Sequence, residues 1–128
     1  MLEMDTSGHN ERRLSWRHQV DIPVDLLLSN GIMLKVNACN LSLKGILFSC
    51  DNWISNKIEP RGIQNHPLDH IQFSISAELD KNKKLYANGR IVIARRVSQD
   101  NYLIGLEFID FQKDSYTNLQ AYINSLKE

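Results

Sequence analysis

The chain has 128 residues, with 15 basic and 15 acidic side chains and a formal net charge of zero. That length fits one domain, and a composition of 42% hydrophobic and 23% charged residues excludes wholesale disorder. Zero net charge argues against a protein that coats nucleic acid by bulk electrostatics, yet leaves room for a local basic site. No apolar run approaches the ~20 residues of a membrane span. Met1 to Arg13 is polar and has no apolar signal core, so the expected location is cytoplasmic. Cys39 and Cys50 are too few for a disulfide framework and lack metal-ligand spacing; free thiols are expected.

In chain order, residues 1–10 are polar without periodicity and read as a flexible tail. Val20, Ile22, Val24, Leu26 and Leu28 then alternate with polar positions, which predicts a half-buried strand. Pro23 places that strand at an edge or bulge. Ser29-Asn30-Gly31 signals a turn. Ile32, Leu34, Val36 and Ala38 resume the alternation, and a short turn from Asn40 to Gly45 leads into Ile46, Leu47 and Phe48.

Residues 51–70 form a long loop containing Pro60, Gly62 and Pro67. Trp53, Ile54, Ile58 and Ile63 are expected to pin it down or to make a short helix. Ile71, Phe73, Ile75, Ala77 and Leu79 predict a fourth strand, and Asp80 to Asn82 a turn. Leu85 to Arg95 reads as a longer strand with Gly89 at a bend or bulge. After a turn at Ser98 to Asn101, Tyr102, Ile104, Leu106 and Phe108 predict the last strand. Tyr116, Leu119, Ile123 and Leu126 instead share one helical face, predicting a helix over 114–127. Asp114 or Ser115 would cap it and Lys127 would lie near its negative end. Six short strands and one amphipathic helix point to a small, mainly β, antiparallel barrel.

Catalytic patterns are not found. No serine, histidine and acid share a recognisable motif, no phosphate-binding GxxxxGK[ST] loop occurs, and paired carboxylates are not evident. His66 and His70 are four apart, but Pro67 between them opposes the helix that would align them on a metal. The expectation is therefore no enzyme, no metal and no cofactor.

Two segments stand out. Glu11-Arg12-Arg13-Leu14-Ser15-Trp16-Arg17 sets Arg13 and Arg17 in RxxxR spacing, with Arg12 as a third guanidinium. Asn40-Leu41-Ser42-Leu43-Lys44-Gly45 reads [D/N]xSxxG. Alone, each is an ordinary surface cluster or turn. In this order, flanking strands of a small barrel, they resemble the PilZ domain family. The final strand, Ile104-Gly105-Leu106-Glu107-Phe108-Ile109-Asp110, is similar to that family's glycine-hydrophobic-x-phenylalanine ending. The resemblance extends from Glu11 to about Leu126. It implies a six-stranded antiparallel, Greek-key-like barrel with a C-terminal helix, as one domain over 11–128 whose first residues, 11–18, are an arginine-bearing arm.

The resemblance further implies a bacterial receptor for cyclic di-GMP, and the chemistry agrees. Guanine shows two acceptors on one edge, which arginine's planar fork meets bidentately; arginine also pairs with phosphate and stacks on bases. Arg13 and Arg17 are thus expected on guanine edges and phosphates. Asn40 would bind the other guanine and Ser42 would contribute its hydroxyl. Gly45 would allow close backbone approach or a positive φ. A basic residue at Arg12 goes, in the family, with a stacked ligand dimer. Trp16, Arg95 and Arg96 are further candidate contacts.

The expected function is a non-catalytic receptor that orders its arm on binding and signals in trans to an unidentified protein partner, with no nucleic acid and no membrane insertion. The 51–70 loop is one candidate docking surface, against packing on its own barrel. The alternative is a PilZ-type adaptor that does not bind nucleotide, set aside because both motifs are intact. A barrel binding single-stranded nucleic acid ranks lower, since aromatics are only 8% of the chain.

Overall fold

A computed structural model describes residues 18–63, 68, 71–80 and 83–126. The strands are β1 (His18–Leu28), β2 (Met33–Leu41), β3 (Gly45–Cys50), β4 (Gln72–Asp80), β5 (Lys83–Ser98) and β6 (Asn101–Phe111). Helix α1 (Asn52–Ile58) follows β3, and α2 (Ser115–Leu126) follows β6. The strands close into an antiparallel barrel in the order β1-β2-β3-β6-β5-β4. Two three-stranded meanders lie side by side. The 51–70 segment carries the chain across so that β4 pairs with β1, which makes β4-β1-β2-β3 a Greek key.

The alternation read from the sequence sets the core. Val24, Leu26, Leu34, Phe48, Ile75, Ile104 and Leu106 all point inward and are buried. Register shifts re-aim the strands. Between Ala38 and Asn40 the β2–β3 register shifts, so Cys39 is an extra residue and both Ala38 and Leu41 face the core. The β5–β6 register shifts at Asn88/Gly89 and again between Ile91 and Ile93. Pro23 sits where its missing N–H does little harm. β1 pairs with β4 only from Val24 onward, and a β1–β2 register shift lies just before, between Gln19 and Ile22.

The turn at Asn30-Gly31 forms as expected, with Gly31 at φ 92° and the Asn30 side chain accepting from the Ile32 N–H at 3.0 Å. The long connection does contain a helix. Asp51 caps α1 by accepting from the Ile54 N–H at 3.0 Å, and Ile58 and Ile63 enter the core. Trp53 does not pin the segment: it is 62% exposed, with the Lys57 ammonium 5.2 Å from its ring. Glu59, buried beside α1, is held by Arg61 through two side-chain bonds of 2.8 and 2.9 Å. Part of the connection, including His66 and His70, lies outside the described residues, as do residues 1–10, Lys81, Asn82 and Lys127.

The C-terminal helix differs in detail from its expected face. Leu119 and Ile123 are buried, but Tyr116 and Leu126 stay about 40% exposed. Tyr116 packs edge-on against Phe111 at 5.1 Å between centroids, and Phe111 meets Phe108 at the same distance. Asp114 is the cap residue, since its carbonyl accepts the first helical bond, from Asn118 at 2.8 Å. Ser115 instead ties the helix to the barrel: its buried hydroxyl accepts from the Tyr86 N–H at 2.8 Å.

Both cysteines are free thiols, Cys39 half-buried and Cys50 buried. Burial, and secondarily the Asp51 carboxylate, push the Cys50 thiol from its ordinary 9.0 up to about 12. A folded-state value above the unfolded one stabilises the fold fully below pH 9, and that contribution is lost as pH rises toward 12. Iodoacetamide at about pH 8 is therefore expected to label Cys50 only when the protein unfolds, as read by mass spectrometry. Gly89 supplies a second test. A Cβ there would stand 2.7 Å from Ile75 Cδ1 and 3.1 Å from the Glu107 carbonyl oxygen. Gly89→Ala should cost about 1–3 kcal/mol in chemical denaturation, by overpacking.

Candidate nucleotide-binding face

The second motif forms the corner between β2 and β3. Ser42 is 4% exposed, and its hydroxyl accepts from the N–H groups of Lys44 (3.0 Å) and Gly45 (3.2 Å). Its own N–H donates to the Gly45 carbonyl at 3.0 Å. The Phe108 N–H donates to the Lys44 carbonyl at 2.8 Å, which fastens the turn to β6. Serine suits this position because a short hydroxyl can reach two backbone donors at once. Having accepted both, it has only its own O–H left to offer a ligand.

Asn40 lies at the bulge, half-buried, with its amide nitrogen 3.8 Å from Cys39 Sγ. Cys39 Sγ in turn lies 3.4 Å from the Leu47 carbonyl oxygen. Gly45 is buried, but the positive-φ glycines among the described residues are Gly31 and Gly62. The left-handed option expected for Gly45 is therefore not used, and close approach is the remaining reason for a glycine there.

The β1–β2 ladder then brings the start of β1 to the second motif. His18 pairs with Leu41 and Gln19 with Asn40. The chain leaving Arg17 thus enters the barrel directly beside the Asn40 to Gly45 turn. Arg12, Arg13, Trp16 and Arg17 themselves lie outside the described residues.

The other basic candidates divide. Arg96 is not brought to the turn. Its guanidinium donates to the carbonyls of Ser98 (3.2 Å) and Gln99 (2.7 Å) and lies 5.8 Å from the Tyr102 ring centroid. It clamps the β5–β6 hairpin tip, five residues along β6 from the position opposite Gly45, or roughly 17 Å of strand. Arg95 is exposed opposite Leu103. A residue not singled out from the sequence, Arg90, lies nearer: it pairs across β5–β6 with Glu107, which itself pairs with Gly45. In the sequence Arg90 is one of six basic residues from Lys81 to Arg96, and register alone brings it to this row.

Between these groups lies a short apolar row. Leu47, Gly105 and Ile93 are consecutive across β3, β6 and β5. A Cβ on Gly105 would lie 3.1 Å from Ile93 Cβ and 3.2 Å from Leu47 Cδ1, so those side chains close over the glycine. A cavity of about 540 Å³ elsewhere on the barrel is lined by Lys35, Val36, Cys50 and Ile54, among others, and by none of the motif residues. Among the described residues, no three histidine, cysteine or acidic side chains group to hold a metal, and no helix is long and apolar enough to cross a membrane.

These features, a closed six-stranded barrel with a C-terminal helix and a serine-clamped turn beside the start of β1, define a class of small β-barrel domain. The PilZ domain model matches residues 11–125, and the chain belongs to that family. Solved structures share the fold. MrkH of K. pneumonia in its apo state gives a TM-score of 0.65 at 16% identity, over 90% of this chain and 50% of that one. Bacillus subtilis MotI/DgrA, an inhibitor of motility, gives 0.61 at 11% identity, over 86% and 49%. Borreliella burgdorferi PlzA, solved in complex with c-di-GMP, gives 0.51 at 12% identity, over 95% and 49%. The chain thus spans about half the length of these neighbours. A sequence comparison with curated proteins finds no significant match.

Removing the Ser42 hydroxyl leaves two turn N–H groups without their acceptor at a 4%-exposed position. Ser42→Ala should lower unfolding free energy by about 1–3 kcal/mol, measured in urea.

Proposed function

We propose that the chain is a bacterial cyclic di-GMP receptor that binds through the RxxxR arm and the Asn40 to Gly45 turn. The observation that supports this reading is the pairing of His18 with Leu41 and Gln19 with Asn40, which sets the start of β1 beside the turn. Membership of the PilZ family and the c-di-GMP complex of PlzA support the ligand class.

Arg13 and Arg17 engage guanine edges and phosphates through charge-assisted, bidentate bonds. Asn40 binds the second guanine through its side-chain amide, Ser42 donates its O–H, and Gly45 lets the ligand approach the backbone. Arg12 offsets the repulsion of the four phosphates that two stacked ligands bring together, so two ligands bind per chain. Binding draws residues 11–18 over the outer face of the barrel, and the altered surface signals to a protein partner in trans, within the cytoplasm. The domain performs no catalysis of its own and needs neither metal nor cofactor.

Calorimetric titration with cyclic di-GMP tests this directly. The unmodified protein should bind two ligands per chain, and Arg13→Ala and Arg17→Ala should each weaken binding by about tenfold or more. One ligand per chain would remove the stacked-dimer assignment. No binding by the unmodified protein would leave the nucleotide-free adaptor as the better reading. Trp53 is 62% exposed, so a Trp53→Phe background isolates Trp16 cheaply. Fluorescence that stays constant while calorimetry shows binding would count against movement of the arm.

A further inference from the structure

We propose that Arg90 is an additional anion-binding residue of this face and that Glu107 holds it in reserve. The inference rests on the nucleotide-binding reading above and extends it to a residue outside both motifs.

Gly45, Glu107 and Arg90 are consecutive across β3, β6 and β5. Two strand spacings place the Arg90 backbone about 10 Å from that of Gly45. The Arg90 guanidinium is fixed by one oxygen alone: its Nη2 lies 3.0 Å, and its Nε 3.1 Å, from Glu107 Oε1. Guanidinium carries five N–H donors, so those on Nη1 remain, with no partner among the described residues. Both side chains are about half exposed, at 49% and 43%. An ion pair in that much water is weak and gives way to a better-matched anion. A phosphodiester is such an anion, because it accepts from two guanidinium N–H groups in parallel.

The neighbouring row supplies the rest of the surface. Leu47, Gly105 and Ile93 form an apolar row that begins at Asn40, which pairs with Leu47. That row lies two residues, or about 7 Å, along β6 from the Gly45–Glu107–Arg90 row, so a base stacked on it sets its phosphate within reach of Arg90. Glu107 there has two opposed effects. Its carboxylate keeps Arg90 extended in the free protein, and it repels an arriving anion. Arg90 and Glu107 should therefore act on affinity with opposite signs.

The test is cyclic di-GMP titration of the full chain carrying Arg90→Ala, Arg90→Lys, Glu107→Gln, or Arg90→Ala with Glu107→Gln. Arg90→Ala should weaken binding by about tenfold, and Arg90→Lys by less, since charge remains but the fork is lost. Glu107→Gln should tighten binding severalfold, and that gain should be absent when Arg90 is alanine. A merely structural ion pair would weaken binding in both single variants alike. That result, or an Arg90→Ala variant within about twofold of the unmodified protein, overturns the proposal. Melting temperatures report folding independently, and little change is expected for an exposed pair. If the unmodified protein does not bind cyclic di-GMP, the receptor reading itself fails, and this inference with it. Binding with Arg90 silent removes only the inference.

Discussion

Closure of the barrel depends on strand register. Each strand alternates, so a slip of one residue would exchange the core set for the polar set along its whole length. On β1 such a slip would bring Asp21 and Asp25 inward in place of Ile22, Val24 and Leu26. Burying an unpaired carboxylate costs far more than a buried leucine side chain contributes, which holds the ladder in place. With the inside committed to apolar packing, all recognition chemistry must sit on the outside or at the turns. Asn40, Arg90 and Glu107 accordingly lie outside the core, and Ser42 at a turn.

Bulges reconcile this strict inner pattern with a specialised outer one. Cys39, as the extra residue of β2, lets Ala38 and Leu41 both face the core and sets Asn40 at the corner. The shift between Ile91 and Ile93 does the same on β5: Ile91 stays in the core while Ile93 turns out over Gly105. Gly89 and Gly105 matter through space rather than torsion. Neither adopts a positive φ, yet a Cβ on either would meet a neighbour at 2.7–3.1 Å. A single fold thus keeps a dense interior and an outward-facing apolar row on the same strands.

The ends of the barrel are closed by different means. Ile58 and Ile63, from the long connection, join the core, and Asp51 and Glu59 stabilise the backbone that presents them. The C-terminal helix contributes Leu119 and Ile123, with Ser115 and Asn118 bonding to β5 backbone at 2.8 and 2.9 Å. Among the described residues of this connection, Ile54, Ile58, Ile63 and Leu68 pack on the barrel, whereas Trp53 stays exposed. Tyr116 and Leu126 fit the helical period but not the buried face, because α2 meets the barrel at an angle that periodicity does not specify. Tyr116 finds Phe111 instead.

By itself, the sequence determined the strands, the helix and the two motifs, because period-two and period-3.6 patterns and turn chemistry are local properties of the chain. It could not determine which strands become neighbours across the barrel, since that depends on register between segments far apart in the chain. Tertiary structure alone decided that β1 begins at His18 beside Leu41, that Ser42 spends both acceptor sites on its own turn, and that Gly45 needs no left-handed backbone. It also separated arginines that look equivalent in sequence. Arg96 is committed to a hairpin tip, whereas Arg90 stands on the row of Gly45, held by the carboxylate between them.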